Sequence, residues 1–94
     1  MKSSQEIIEV LETTYPESMA KKFNTIEDCE KYMERKCNNF KKIFQDVCSD
    51  RMVLEDDEFW SYYYFINTSD SKIVFSINGF IGKTYDCNFT WRRF

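Results

Sequence analysis

The stretch Phe59-Trp60-Ser61-Tyr62-Tyr63-Tyr64-Phe65-Ile66 decides the fold. Its aromatic and β-branched side chains suit a pleated, half-buried surface, so it reads as a strand over roughly 59–67. One side of that strand carries Phe59, Ser61, Tyr63 and Phe65, and the other carries Trp60, Tyr62, Tyr64 and Ile66. Both sides are aromatic, so alternation alone does not choose the buried one.

Two more strands follow it. Asn67-Thr68-Ser69-Asp70-Ser71 has the composition of a turn. The second strand, about 72–81, sets Ile73, Phe75, Ile77 and Ile81 against Lys72, Val74, Ser76, Asn78 and Phe80. The first set is the better core face. Gly82-Lys83-Thr84-Tyr85-Asp86 reads as the next turn, with Gly82 free to take a positive φ. The third strand, 87–93, sets Cys87, Phe89 and Trp91 against Asn88, Thr90 and Arg92. A competing reading makes Asn78-Gly79 a two-residue hairpin turn and pairs 72–77 with 80–85. The long second strand is favoured, because the third strand would otherwise begin too close to that hairpin.

Upstream, the periodicity changes to that of helices. Ser3 and Glu6 have capping-box spacing, each satisfying a free backbone N–H, ahead of Ile7, Ile8, Leu11 and Tyr15 on one side of a helix. Pro16 ends that helix. Glu17–Phe23 reads as a second, short helix with its acid first and its bases last. Thr25 then caps the clearest helix of the chain. Ile26, Cys29, Met33, Cys37, Phe40, Phe44 and Val47 form one apolar stripe, widened by Phe23, Tyr32 and Ile43. Ser49-Asp50 is expected to end it. Arg51-Met52-Val53-Leu54 reads as an apolar linker that packs, and Glu55-Asp56-Asp57-Glu58 as an acidic cluster before the first strand.

Runs of helix followed by runs of strand predict an α+β fold: two to three N-terminal helices packed on one face of a three-stranded antiparallel β-meander. Its 94 residues form a single domain, a helical half over 1–54 and a sheet half over 59–94. Residues 1–58 carry fourteen acids and nine bases, and residues 59–94 two acids and four bases, so the net −3 splits into −5 and +2. The acidic half would repel a nucleic-acid backbone and attract a basic partner. Two Gly, one Pro and one Ala, beside many Lys, Asn, Ile, Phe and Tyr, point to an AT-rich coding genome, bacterial or phage. No signal-peptide or membrane-spanning pattern is visible, so a cytoplasmic location is expected. The four Cys then read as thiols.

The residues argue against catalysis. There is no His, hence no base for a thiol or hydroxyl nucleophile. Cys29 and Cys37 lie two turns apart, about 12 Å along a helix. They could not share a zinc ion, whose thiolates sit at about 2.3 Å. Neither an enzyme nor a metal or other cofactor is expected. Adjacent carboxylates on an extended loop point apart, so Glu55, Asp56, Asp57 and Glu58 read as a solvated loop or as a contact for a basic protein rather than a metal cage.

The remaining signal is aromatic surface. Helices covering one face leave Trp60, Tyr62 and Tyr64, or else their odd-numbered neighbours, partly exposed, which is more than a silent monomer shows. Such residues anchor protein interfaces or stack single-stranded bases. Strand one carries no interleaved bases, so a protein partner ranks above nucleic acid. An isologous homodimer through the sheet is a variant of the same reading. The expected function is a small cytosolic protein inhibitor, a toxin-neutralising immunity protein or an anti-defence protein. It would block a basic, nucleic-acid-binding site on its target with Glu55, Asp56, Asp57, Glu58, Trp60, Tyr62 and Tyr64. The alternative is a single-stranded nucleic-acid-binding or regulatory module using the aromatic sheet face.

Overall fold

A computed structural model describes residues 2–48 and 51–94. The expected helix end at Ser49-Asp50 lies outside these residues. In chain order the elements are α1 (Ser4–Thr14), β1 (Lys21–Phe23), α2 (Ile26–Phe44), β2 (Met52–Glu55), β3 (Phe59–Asn67), β4 (Lys72–Ile81) and β5 (Tyr85–Arg93). The strands form one antiparallel sheet in the order β1-β5-β4-β3-β2. The fold is α+β, with two helices and five strands among the described residues rather than a three-stranded meander.

The helices start where the caps direct. The Ser3 hydroxyl accepts from the Glu6 N–H at 3.3 Å, and the Thr25 hydroxyl accepts from the Asp28 N–H at 3.2 Å. The Glu6 carboxylate accepts from the Ser3 hydroxyl rather than from the Ser3 backbone N–H that a capping box would supply. At the far end of α1 the Tyr15 N–H returns to the Leu11 carbonyl, and Pro16 follows. Along α2, Cys29, Tyr32, Met33, Cys37, Phe40 and Phe44 are buried, as the stripe predicts, while Ile43 lies outside it and is exposed.

Two added strands correct the sequence reading. Glu17–Phe23 is not a helix. The Met19 N–H closes a turn on the Pro16 carbonyl, and Lys21–Phe23 pairs with Tyr85–Cys87 of β5. So short a helix closes few internal hydrogen bonds against a costly nucleus. The edge of β5 offers ready backbone partners, and Phe23 gains the Tyr32 ring at 5.2 Å. The expected apolar linker before the acidic cluster is likewise a strand: Met52–Glu55 pairs with Trp60–Tyr63.

Cross-strand register chooses the faces that alternation left open. Tyr64 stands opposite Phe75, and Phe75 opposite Trp91; Tyr62 stands opposite Ile77, and Ile77 opposite Phe89. Opposed residues share a face. The certain core side of β4 therefore draws Trp60, Tyr62, Tyr64 and Ile66 inward, and all four are buried. The expected exposure of Trp60, Tyr62 and Tyr64 is thus corrected. The other sheet face is left to Phe59, Ser61, Tyr63 and Phe65. At the far end of β4, Ile81 is exposed rather than in the core.

The Asn78-Gly79 hairpin does not form, and β4 runs through it. Gly79 faces Trp60, and a Cβ there would sit 2.7 Å from the indole carbons. The ring therefore fills the space above the glycine. Neither Gly79 nor Gly82 has a positive φ, so Gly82 does not use the freedom expected of it.

The β3–β4 turn anchors α1. Asp70 accepts from the Ser4 N–H and the Ser4 hydroxyl, both at 2.8 Å, and the Ser69 N–H donates to the Lys2 carbonyl. A carboxylate at a helix N-terminus satisfies free donors and complements the dipole. Those bonds, with one from the Thr68 hydroxyl, hold the Asp70 carboxyl below its usual range.

Two stability predictions follow from these contacts. Gly79→Ala should cost about 1–3 kcal/mol by overpacking, read by denaturant unfolding, and Trp60→Leu in the same chain should recover part of it. Asp70→Asn should lower Tm at neutral pH. A depressed pKa contributes stability above the unfolded value and loses it as pH falls through the folded one. The difference from wild type should therefore close as pH falls below about 4.

Candidate functional site

Both helices cover the even-numbered face of β3, and neither covers the odd-numbered face. That open face has a polar centre and an apolar border. The Ser61 hydroxyl donates to Asn78 Oδ1 at 2.8 Å, and Asn78 Nδ2 donates to Asn88 Oδ1 at 3.0 Å and to Thr90 Oγ1 at 3.2 Å. The hydroxyls of Ser76 and Thr90 are also hydrogen-bonded. The network ties β3, β4 and β5 together side by side. Ser61, Ser76 and Asn78 are buried although no helix lies over them. Larger neighbours shield them: Tyr63, Val74, Arg92 and Phe94 stand around a depression of about 510 Å³ floored by Ser76, Asn78 and Thr90, with Glu17 also at its margin.

The border is apolar and exposed. Met52 and Leu54 of β2, Phe65 of β3, Phe80 of β4 and the terminal Phe94 all belong to it, at 38–70% exposure. Phe59 stands opposite Phe80 at one end of the sheet. The acidic cluster forms the β2–β3 turn at that same end. The Asp56 N–H donates to the Phe59 carbonyl, and the Ile81 N–H donates to the Glu58 carbonyl, each at 2.8 Å. Glu55, Asp56, Asp57 and Glu58 are all exposed. Asp56, Asp57 and Glu58 therefore lie at the Phe59–Phe80 end of the sheet, while Glu55, the last residue of β2, stands opposite Trp60 on the helix side. The signal for this face lay in small polar residues at alternate positions: Ser61, then Ser76 and Asn78, then Asn88 and Thr90. Aligned across three strands they mark the uncovered side.

A second polar group sits where β2 meets α2. Arg51 donates to both Glu34 oxygens, at 2.9 and 3.1 Å, and its guanidinium lies 4.5 Å from the Tyr62 ring. Burial works against the Arg51 charge, and the Glu34 carboxylate more than offsets it, so the guanidinium holds its proton more tightly than usual. The Tyr64 hydroxyl is buried without a hydrogen bond of normal geometry, beside Cys37 and Arg51. Trp60 Nε1 is buried and unpaired as well. Arg51 thus clamps the start of β2 to the helix.

The buried thiols are poor nucleophiles. Burial, then the Asp86 and Glu30 carboxylates, pushes Cys29 up to about 11. Burial, then Cys29 and Cys37, pushes Cys87 up to about 12. Burial also raises Cys37. Cys48 is half-buried and bridges to Ile66 of β3. Among the described residues no three His, Cys, Asp or Glu side chains converge as a metal site, and no helix is long and apolar enough to cross a membrane.

Alkylation at pH 8 should therefore leave Cys29, Cys37 and Cys87 unmodified in the native protein, with rates about 100-fold or more below those in denaturant. Peptide mapping of the labelled chain reads this, and native labelling of any of the three would contradict it. Comparisons with protein-family models, with curated proteins and with solved structures find no match for this chain.

Proposed function

We propose that the protein is a small cytoplasmic protein-binding inhibitor, of the toxin-neutralising immunity or anti-defence kind. It blocks a basic, nucleic-acid-binding site on its target. One observation carries this reading: the acidic β2–β3 turn stands beside the apolar border of an uncovered sheet face. The turn supplies long-range attraction to a basic surface, and the border supplies area to be buried once contact is made. The contact residues are Glu55, Asp56, Asp57 and Glu58 with Phe59, Phe65 and Phe80. These rings take the place that the sequence alone gave to Trp60, Tyr62 and Tyr64.

The competing reading is a single-stranded nucleic-acid module using the same face. Tyr63 and Phe65 would stack bases, and Arg92 would meet phosphate. The acidic turn at the end of that face opposes it.

The test is co-purification of the tagged chain from its native host, followed by association kinetics with the protein recovered. Reversing all four turn carboxylates to Lys should slow association by about tenfold or more at low salt, with the gap narrowing as salt rises. Unchanged kinetics would remove the electrostatic basis of the proposal. Tight, salt-sensitive binding of labelled oligonucleotides by the wild-type chain would replace it with the competing reading.

A further inference from the structure

The sheet has two edges, and they are guarded differently. The β1 edge is three residues long and carries Lys21 and Lys22, with the Lys21 ammonium 5.1 Å from the Tyr32 ring. Lysine on an edge discourages pairing with another chain. The β2 edge reads Met-Val-Leu-Glu and has neither Lys nor Pro. Met52, Val53 and Leu54 are 43–45% exposed although they alternate between the two faces.

The direction of the free backbone groups follows from the register. The Asp56 N–H donates to the Phe59 carbonyl, and Glu55, Leu54, Val53 and Met52 then stand opposite Trp60, Ser61, Tyr62 and Tyr63. Antiparallel pairs alternate between bonded and non-bonded. Leu54 and Met52 therefore direct their N–H and C=O groups to β3, and Val53 and Glu55 direct theirs away from the sheet. Arg51 directly precedes this series, with its guanidinium on the helix side against Glu34 and Tyr62.

We propose that β2 is a self-pairing edge, through which two copies of the chain join by an antiparallel β2–β2 ladder into one continuous sheet. A two-fold axis normal to the sheet keeps the faces matched, so only residues of the same parity oppose one another. Centring on Leu54 sets Val53 against Glu55, and centring on Met52 sets Val53 against Arg51, an apolar residue against a charge in each case. Centring on Arg51 sets Arg against Arg, and centring on Glu55 sets Glu against Glu. Centring on Val53 leaves no such conflict. Val53 exchanges both bonds with its own counterpart, Glu55 faces Arg51 of the second copy, and Met52 meets Leu54 on the open face. Each opposed pair is then apolar with apolar or acid with base.

The surroundings accommodate this register. Val53 and Glu55 are exposed on the helix side, so α2 does not overhang the edge. Arg51 holds Glu34 through one terminal nitrogen and also lies against Cys37 and Tyr64; of its five donors, those left can meet the incoming Glu55 carboxylate. So short a ladder makes a weak dimer, and it joins the two open faces into one surface.

The experiment is sedimentation equilibrium on the intact protein from about 5 µM to about 1 mM, the range for a small interface, with hydrogen exchange at both limits. The mass should rise from one chain toward two. The Val53 and Glu55 amides should gain protection with concentration, while Met52 and Leu54 stay protected throughout. Val53→Pro removes an outward N–H without removing a β2–β3 bond, and should weaken association by about tenfold or more. Glu55→Arg, which sets Arg against Arg51, should weaken it independently and needs no backbone change. A single-chain mass at the highest concentration would overturn the proposal. So would a dimer that both variants leave intact, which would place the contact on another surface.

Discussion

Phe75 is the residue on which the rest of the structure depends. Its ring stacks on Phe40 of α2 at 4.4 Å and 8°, and meets Tyr15, at the end of α1, at 5.1 Å. On either side it faces Tyr64 of β3 and Phe89 of β5. One side chain on the central strand therefore joins both helices to both neighbouring strands. Large rings make this economical, because each buries much area and constrains the orientation of the next. Once Phe75 points toward the helices, the pairing register carries every opposed residue to the same side.

That choice leaves the other side to water, and the composition of the open face follows from it. A polar ladder of Ser, Asn and Thr can satisfy its own hydrogen bonds in the middle of an uncovered sheet. A ladder of large apolar residues would expose too much surface there. The apolar residues on this face lie instead around the ladder, on β2, at the ends of β3 and β4, and at Phe94. Together with the acidic turn they give the molecule one face unlike the rest, and that face carries the functional reading.

The core also contains polar atoms that a purely apolar design would avoid. Trp60 Nε1 is buried without a partner, at a cost on the order of 1–3 kcal/mol of lost hydration, and the Tyr64 hydroxyl has only the poorly aligned neighbours Cys37 and Arg51. The rings supply area that smaller apolar residues could not. Arg51 and Glu34 seal the core beside Tyr62, which makes the start of β2 a defined edge rather than a loose linker.

Much of this was legible in the sequence. The stripe on α2, the caps at Ser3 and Thr25, the break at Pro16 and the core faces of β4 and β5 are local patterns. Spacing along one element is enough to set them. The buried face of β3 was not legible, because both of its sides are aromatic and only its register with β4 separates them. Lys21–Phe23 and Met52–Glu55 became strands because β5 and β3 presented unpaired backbone edges, which exist only once the sheet has formed. The same holds for Asp70, whose carboxylate caps a helix 66 residues away in the chain. The sequence by itself determined which stretches are amphipathic and with what period. The tertiary structure decided which face is covered, where the sheet ends and which aromatics meet solvent, because those depend on partners that no local spacing contains.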